Sequence, residues 1–298
     1  MSRAELALVT EDRFEDPKPG HWYVDNILEE DALLQVALGA RGLASRRVSW
    51  SRADAPWPTF AAAVLRTPWD YFERIGEFMA WLDRVEQHTR LLNPAALVRW
   101  NVDKHYLRDL EARGVHTVPT VFVERGDDLT LAALLREREL PEAVIKPAVS
   151  GAARHTYRVR PDNVDAHEPV WAERLRHEAM LLQPLQRSIL EHGEVTVVVI
   201  DGHATHALRK QPKPGDFRVQ DDHGGTVHPH VATTEELALA EQAMAACDPR
   251  PIYGRVDMVT GNDGRLAVME LEVVEPELWL RREPAAAERL ADAIARLV

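Results

Sequence analysis

Residues 254–259 read Gly-Arg-Val-Asp-Met-Val and residues 267–273 read Ala-Val-Met-Glu-Leu-Glu-Val, with the turn sequence Gly-Asn-Asp-Gly at 261–264 between them. Successive side chains of a strand point to opposite faces of the sheet. Apolar residues occupy alternate positions of both segments: 256 and 258 in the first, and 267, 269, 271 and 273 in the second. The pattern predicts a hairpin of two strands with one apolar face and one charged face.

The charged face would carry Arg255, Asp257, Glu270 and Glu272. Carboxylates two positions apart on a strand lie roughly 7 Å apart, and a third from the paired strand can join them. Magnesium binds a few carboxylates together with phosphate oxygens. Asp257, Glu270 and Glu272 are therefore candidate magnesium ligands in a nucleotide site. The alternative is a solvated strand face, which accounts for many acidic patterns.

Two lysines lie in structured places. Lys104 is expected in the first turn of a helix that Asn101 caps and that ends at Gly114, and Lys146 ends the apolar strand AVIK. A lysine at the end of a buried strand needs a counter-anion, and two such lysines can bind phosphates as point charges. The small residues Ser150, Gly151 and Ala152 that follow would let backbone N–H groups approach a phosphate. Salt-bridged lysines are the structural alternative.

Two further segments fit a nucleotide. The apolar strand ending in Leu182-Gln183-Pro184 would make an adenine slot, and Glu194 would bind ribose hydroxyls. Lys210, Lys213 and Arg218 lie in a basic segment that ends in Gly224-Gly225, which would form a lid over a polyphosphate. A core strand, a surface glutamate and a solvated loop are the corresponding alternatives.

The whole chain predicts an α/β and α+β protein. The opening alternates strands (6–10, 47–50 and 62–65) with helices (31–41 and 70–88), which is typical of a doubly wound parallel sheet. Later strands fall into hairpins: residues 156–159 would pair with the strand that ends at Lys146, and Asp201-Gly202 is a strong turn signal for the next hairpin. We predict three units: an N-terminal α/β domain at 1–98 and two mixed units at 99–183 and 184–298.

Composition excludes several classes of function. A net charge of −12 argues against nucleic acid as a partner. No apolar run approaches the roughly 18–20 residues that span a bilayer, and the N-terminus lacks a signal-peptide pattern, so a cytoplasmic location is expected. The one cysteine, Cys247, is expected to be buried at a helix end. The chain has neither a P-loop nor a Gly-x-Ser-x-Gly motif. A zinc site built from His223, His228 and His230 stays an alternative.

Taken in order, these motifs resemble the ATP-grasp superfamily over residues 99–280, with the first unit similar to the α/β domain that precedes the ATP-grasp fold. The motifs that carry the resemblance are Asp103-Lys104, Ile145-Lys146-Pro147, Ser150-Gly151, Gln183-Pro184, Gly193-Glu194, Asp216-Phe217-Arg218, Arg255-x-Asp257 and Glu270-x-Glu272. Among ATP-grasp ligases, the segments RKQPKPGDFRVQ and MELEVVEPELWL are similar to the branch that contains the O-ureido-serine cyclo-ligase of cycloserine biosynthesis.

The resemblance implies ATP and Mg²⁺ as cofactors and gives each candidate residue a role. Lys104, Lys146 and Lys210 would contact ATP, covered by Ser150, Gly151 and Ala152. Adenine would lie by Leu182, Gln183 and Leu185, with Glu194 on the ribose. Asp257, Glu270 and Glu272 would hold two magnesium ions. Arg255 would stabilise the transferring phosphoryl group, and Arg218 would face the γ-phosphate. Many relatives have Asn at the position of Glu272, and the loop after Lys146 has fewer glycines than is usual.

The implied activity is an ATP-dependent carbon–nitrogen ligase that phosphorylates a carboxylate or ureido carbonyl of a small amino-acid-like molecule. A nitrogen then attacks, either within the same molecule or from a second substrate. A non-catalytic ATP-binding module is the rival from another class. The sequence does not reveal the substrate: Tyr23, Asp25 and Trp69 are candidates for its recognition, although core or surface packing is the more ordinary role for each. A homodimer would be in keeping with a ligase of this type.

Overall fold

The computed structural model describes residues 4–298, except for the side chain of residue 222, and contains three β-sheets. The first is a four-stranded parallel sheet in the order β2-β1-β3-β4. Its strands are β1 (Glu5–Thr10), β2 (Ala44–Ser49), β3 (Ala62–Thr67) and β4 (Arg90–Leu92). Leu6 and Leu8 pack on one side of the sheet, and Ala7 and Val9 pack on the other. Because both faces are covered, the predicted doubly wound N-terminal domain is confirmed.

Helices α1 (Trp22–Ala40) and α9 (Pro284–Ala295) cover the first face, and α2 (Ile75–Val85) covers the second. Helix α1 begins nine residues before the predicted start at residue 31. The spacing of apolar residues does not reveal the first half of α1, because the acidic residues Glu30 and Asp31 are buried there, 4% and 1% exposed. Both acids pair with Arg66. Helix α2 is shorter than the predicted 70–88, since residues 71–73 form turns.

The second sheet is antiparallel, in the order β5-β8-β6-β7. Its strands are β5 (Val121–Val123), β6 (Ala143–Pro147), β7 (Tyr157–Val159) and β8 (Met180–Pro184). Helices α5 (Leu131–Glu137) and α6 (Val164–Leu175) cover one face, where Ile145 and Leu182 pack with Trp171. The predicted hairpin that follows Lys146 is confirmed by the pairing of β6 with β7.

The third sheet has five antiparallel strands in the order β11-β10-β9-β12-β13. They are β9 (Glu194–Ile200), β10 (His203–Gln211), β11 (Thr226–His230), β12 (Tyr253–Thr260) and β13 (Leu266–Glu272). Helix α8 (Thr234–Ala245) packs on one face, and the short α7 (Arg187–His192) precedes β9. Asp201 and Gly202 both have positive φ, as a two-residue type I′ turn requires, which confirms the predicted turn.

Two short helices join the first unit to the others: α3 (Ala95–Asn101) and α4 (Tyr106–Ala112). The prediction that Asn101 caps a helix was wrong, because Asn101 is the last residue of α3. Its side-chain amide donates to the carbonyl of Leu271 (2.8 Å) and accepts from the N–H of Val273 (2.9 Å). Asn101 therefore fixes the end of β13, and Lys104 lies in the turn between α3 and α4.

The first and third sheets each fall inside one predicted unit, whereas the second sheet extends one residue past residue 183, to Pro184 at the end of β8. Packing also crosses between the units. Helix α9 packs on α1 of the first unit, and α4 packs with α8 on the third sheet. The boundaries at 98 and 183 stay a prediction. Within residues 4–298, no helix is both long and apolar enough to cross a membrane.

Candidate active site

The charged face of the third sheet forms the floor of the candidate site. Asp257 lies directly opposite Glu270, and Arg255 lies opposite Glu272. The predicted alternation of residues 267–273 is broken by a β-bulge, because the pairing steps from Asp257–Glu270 to Met258–Val268 and leaves Met269 over. Val268 therefore packs in the core under the sheet, while Met269 lines the cleft above it with both glutamates. The predicted grouping of Met269 with Leu271 on the apolar face was wrong, although both glutamates do face one cleft.

Asp257 is the centre of a buried charge network. Its carboxylate accepts from Thr196 Oγ1 (2.5 Å) and Lys210 Nζ (2.9 Å), and it takes two hydrogen bonds from Arg255 (3.1 and 2.9 Å). Burial acts to raise the pKa of Asp257, but Arg255 and Lys210 outweigh it and hold the pKa well below its usual value. Asp257 is therefore an ionised oxygen donor at neutral pH.

Glu272 has less positive charge beside it than Asp257, because its ion-pair partner Arg255 also pairs with Asp257. Arg255 also donates to Glu272. Burial, reinforced by the charges of Asp257 and Glu270 against the opposing effect of Arg255, raises the pKa of Glu272 to about 8. A further positive charge beside this carboxyl would stabilise its ionised form.

Lys104 and Lys146 enter the same cleft from the second unit. Lys104 Nζ donates to the carbonyl of Ser150 (2.6 Å) and pairs with Glu270 (2.9 Å). Lys146 extends from β6, and no hydrogen bond or ion pair engages its amine among residues 4–298. Burial is the main cause that lowers the pKa of Lys146. Glu270 acts on this amine electrostatically, but the directly paired anion that the sequence led us to expect is absent among the described residues, which leaves the amine free for a ligand.

The adenine candidates at the end of β8 do not all face the cleft. Gln183 and Leu185 line the cleft, with Pro184 between them. The prediction that Leu182 lines it was wrong: Leu182 is 0% exposed in the core under α5 and α6. Neighbours on a strand point to opposite faces, so Leu182 and Gln183 cannot both reach the ligand with their side chains.

Lys210 and Glu194 face each other across β10 and β9. The sequence placed Lys210 in a basic loop, but it is the eighth residue of β10, and its amine pairs with Glu194 (2.5 Å) as well as with Asp257. Burial raises the pKa of Glu194, partly offset by Lys210. Lys213 is in the following loop, 52% exposed.

Two loops meet over the cleft, one at residues 150–153 and one at residues 212–225. Gly151 lies against the ring of Phe72, which a Cβ atom would approach to 2.5 Å. Ala152 and Ala153 both have positive φ. His223 Nε2 lies 3.4 Å from the carbonyl oxygen of Ala152, so the two loops touch. Arg218 lines the cleft while its guanidinium holds Asp216 through two hydrogen bonds, and this partner lowers the pKa of Asp216.

These groups form what we call the sheet cleft, between the second and third sheets. Its cationic residues are Lys104, Lys146, Lys210, Arg218 and Arg255, and its acidic residues are Glu194, Asp257, Glu270 and Glu272. Such a lining suits a polyanion that arrives with cations. Among residues 4–298, no group of three His, Cys, Asp or Glu side chains is arranged to hold a metal ion. Each predicted ligand is instead paired with a lysine or arginine.

The histidines of the zinc alternative are apart. His230 pairs with Glu236 at the start of α8, His228 bonds Thr226, and His223 contacts the 150–153 loop. Cys247 is buried just after α8, where burial raises the pKa of its thiol to about 12. Nothing among the described side chains supports zinc.

A second cleft, the aromatic cleft, lies between the first unit and the third sheet. Its aromatic residues are Trp22, Tyr23, Trp69, Phe72 and Trp279. The two clefts share Gly151, Ala152, Lys210, Gln220, Arg255 and Glu272, so they meet over the charged end of β12 and β13. Of the candidates for substrate recognition, Tyr23 and Trp69 line this cleft, whereas Asp25 accepts from the N–H of Gly20 and does not.

Glu275 in the aromatic cleft was missed by the sequence analysis. It follows the end of β13, so strand alternation assigns it no direction. The signal was available as a third acid after Glu270 and Glu272 in the segment ELEVVEPE.

Comparison with known proteins agrees with this geometry. Residues 6–93 match the family described as D-cycloserine synthetase DcsG, N-terminal domain. The chain is 34% identical to the cycloserine biosynthesis protein DcsG of Streptomyces lavendulae, over 85% of this chain and 89% of that protein. The crystal structure of D-cycloserine synthetase DcsG superposes with a TM-score of 0.85 at 33% identity and covers 99% of both chains.

The ATP-grasp ligase PsnB has the same fold, with a TM-score of 0.64 at 18% identity and complete coverage of both chains. That structure contains Mg and ADP together with a variant of a minimal precursor. The expected cofactors, ATP and Mg²⁺, agree with it. The predicted ATP-grasp fold is confirmed, and the chain belongs to the DcsG family of ATP-grasp proteins and is an ATP-dependent ligase.

Proposed function

We propose that this ligase phosphorylates the carboxylate of a small amino-acid-like molecule bound in the aromatic cleft and closes it into a ring through its own nitrogen. The substrate is of the O-ureido-D-serine type. One observation carries the proposal: the sheet cleft and the aromatic cleft meet at Arg255, Glu272 and Lys210, so a phosphate chain in one lies end to end with a small molecule in the other.

In the sheet cleft, Lys146 and Lys104 bind phosphate oxygens, Gln183 and Leu185 lie along the adenine, and Glu194 reaches the ribose. Magnesium, when bound, neutralises charge on the phosphates. Its ligands would be Asp257, Glu270 and Glu272, which supply the hard oxygen donors that magnesium prefers. With cations held by these carboxylates, Arg255 and Lys104 would be available to bind phosphate oxygens.

The reaction has two steps. A carboxylate oxygen attacks the γ-phosphorus, and ADP leaves with the electrons of the broken P–O bond. Arg255 and Arg218 stabilise the transferred charge, and the 150–153 loop covers it from water. The nitrogen then attacks the acyl carbon, inorganic phosphate leaves, and the nitrogen loses a proton. Both reacting groups arrive on one molecule, which raises their effective concentration. The aromatic cleft need hold no second substrate.

The test is ADP release from O-ureido-D-serine as the only substrate, with the product identified by mass spectrometry. We expect ADP and a cyclic product. ADP that forms only after a separate amine is added would reject ring closure and indicate two-substrate ligation. ATP binding without ADP release from any amino acid or ureido compound would reject the proposed substrate class.

A further inference from the structure

Most charged groups of the two clefts already have a partner. In the aromatic cleft, Glu277 pairs with Arg281 (2.8 Å), and Glu30 accepts from Arg281 (2.9 Å) and from two backbone N–H groups. Glu272 is held by Arg255. In the described chain no ion pair reaches Glu275, which makes it the acidic counterpart of Lys146 in the sheet cleft.

Glu275 is nevertheless held firmly from the first unit. Trp69 Nε1 donates to the backbone carbonyl of Glu275 (2.9 Å). The buried Tyr71 hydroxyl is near enough to the Glu275 carboxyl to lower its pKa as a hydrogen-bonding neighbour. Both neighbours come from the segment between β3 and α2, and the Glu275 side chain is only partly exposed. Burial raises the pKa of Glu275 to about 7, against the lowering effects of Tyr71, Lys104 and Arg255.

Lys104 and Arg255 act on the partly buried Glu275 carboxyl only without direct pairing, so a ligand that supplies positive charge beside it would stabilise its ionised form. The cleft around it suits a compact cation, because Tyr23, Trp69 and Trp279 present rings that attract positive charge. Arg255 lies at the end of the same cleft and can receive a carboxylate. The two ends of the cleft are thus complementary to the two charges of an amino acid.

We infer that Glu275 binds the ammonium group of a zwitterionic amino-acid substrate, oriented by the Tyr71 hydroxyl. The inference rests on the proposed function for the location of the substrate. It names what the enzyme selects: molecules with a free α-amino group, in preference to hydroxy acids or simple carboxylic acids of the same length. Tyr71 is a positioning residue, because it acts through Glu275.

The test measures binding rather than turnover. Calorimetry with Mg²⁺ and AMPPNP present compares O-ureido-D-serine with 3-(ureidooxy)propanoate, which lacks the amino group. We expect the wild type to bind the amino compound at least tenfold more tightly. Glu275→Gln should weaken binding of the amino compound by about 30-fold or more, as expected when a buried charge pair loses a partner, and leave the other compound almost unaffected.

Two more variants complete the test. Tyr71→Phe keeps the ring and should reduce the preference for the amino compound several-fold, even if Glu275→Gln does not fold. Glu142→Gln is the control, since Glu142 pairs with Arg158 outside both clefts and should leave the preference unchanged. An equal preference in wild type, Glu275→Gln and Tyr71→Phe would overturn the inference, as would a wild type without preference. ADP release tests the proposed function separately, so the two can fail independently.

Discussion

Asp257 and Glu270 were predicted as equivalent magnesium ligands, yet their surroundings differ. Asp257 is 3% exposed and balances two buried cations, Lys210 and Arg255. Glu270 is 25% exposed and pairs with Lys104 alone. Removing one partner of a buried ion network leaves an uncompensated charge, which costs about 3–5 kcal/mol. Substitution of Asp257 should therefore affect both folding and metal binding, whereas substitution of Glu270 should affect mainly metal binding.

We predict that Glu270→Gln lowers ADP release by on the order of 100-fold or more, because phosphoryl transfer depends on bound cations. Its melting temperature without nucleotide should fall less than that of Asp257→Asn, because Glu270 is more exposed and makes one ion pair, with Lys104. Asp257→Asn should lose activity and also melt at a clearly lower temperature, because it leaves Lys210 and Arg255 with less compensating charge. ADP release over a magnesium titration and calorimetric melting check both. Full activity of Glu270→Gln would remove it from the metal site.

The site residues that the sequence predicts are positioned by a local strand pattern, whereas those that it misses are positioned by contacts with distant segments. Arg255, Asp257, Glu270 and Glu272 share a strand face, which alternation reveals locally. Leu182 was misplaced because an apolar strand gives no clue to which face the ligand lies on. Glu275 was missed because its environment comes from Trp69 and Tyr71, about two hundred positions earlier. Contacts of that range are absent from any local pattern.

At the scale of elements, the 150–153 loop is positioned by the first unit. Gly151 packs against the Phe72 ring at a distance that leaves no room for a Cβ atom. The loop also carries positive φ at Ala152 and Ala153, so its shape is tightly constrained. The glycine is required for this contact, even though the loop has fewer glycines than its relatives.

We predict that Gly151→Ala lowers ADP release by about 10- to 100-fold, because the loop must retreat from Phe72 and no longer covers the phosphates. Phe72→Leu should restore part of the activity in the double variant, as expected for residues in contact. Gly76→Ala in α2 is the control, since its added methyl group meets no atom within 4 Å. Additive effects of the Gly151 and Phe72 changes would show that their contact does not set the loop.

The presence of strands and hairpins was easier to predict from the sequence than the exact ends of helices and the pairing within a hairpin. The hairpins of β6 with β7 and β9 with β10 follow from turn residues and local alternation. The bulge at Met269 does not, because it depends on how β13 pairs with β12 and not on its own composition. The early start of α1 was hidden by buried Glu30 and Asp31, whose counter-ions come from β3 and the C-terminal segment.

For the molecule as a whole, two clefts meet where three units converge. A nucleotide in the sheet cleft contacts the second and third sheets together, and the 150–153 loop extends that contact to the first unit. Binding to the folded state alone stabilises it by about 2.7 kcal/mol when the ligand is at 100 times its Kd. Magnesium-ATP should therefore raise the melting temperature of the entire chain, and chelation of magnesium should remove most of that rise.

Lys146 allows a specific test of this stabilisation. Its charge should lower the stability of the folded state without nucleotide and raise it when nucleotide is bound. Burial lowers the pKa of Lys146 and no acid pairs with it in the described chain, so its charge disfavours the folded state when no anion is bound. We predict that Lys146→Met melts at the same or a higher temperature than the wild type without ligand, yet loses most of the rise that magnesium-ATP produces. Lys213→Met, at an exposed site, is the control and should keep that rise. Calorimetric melting with and without magnesium-ATP measures both quantities. An unchanged rise in Lys146→Met would make this lysine structural and move the phosphates elsewhere in the sheet cleft.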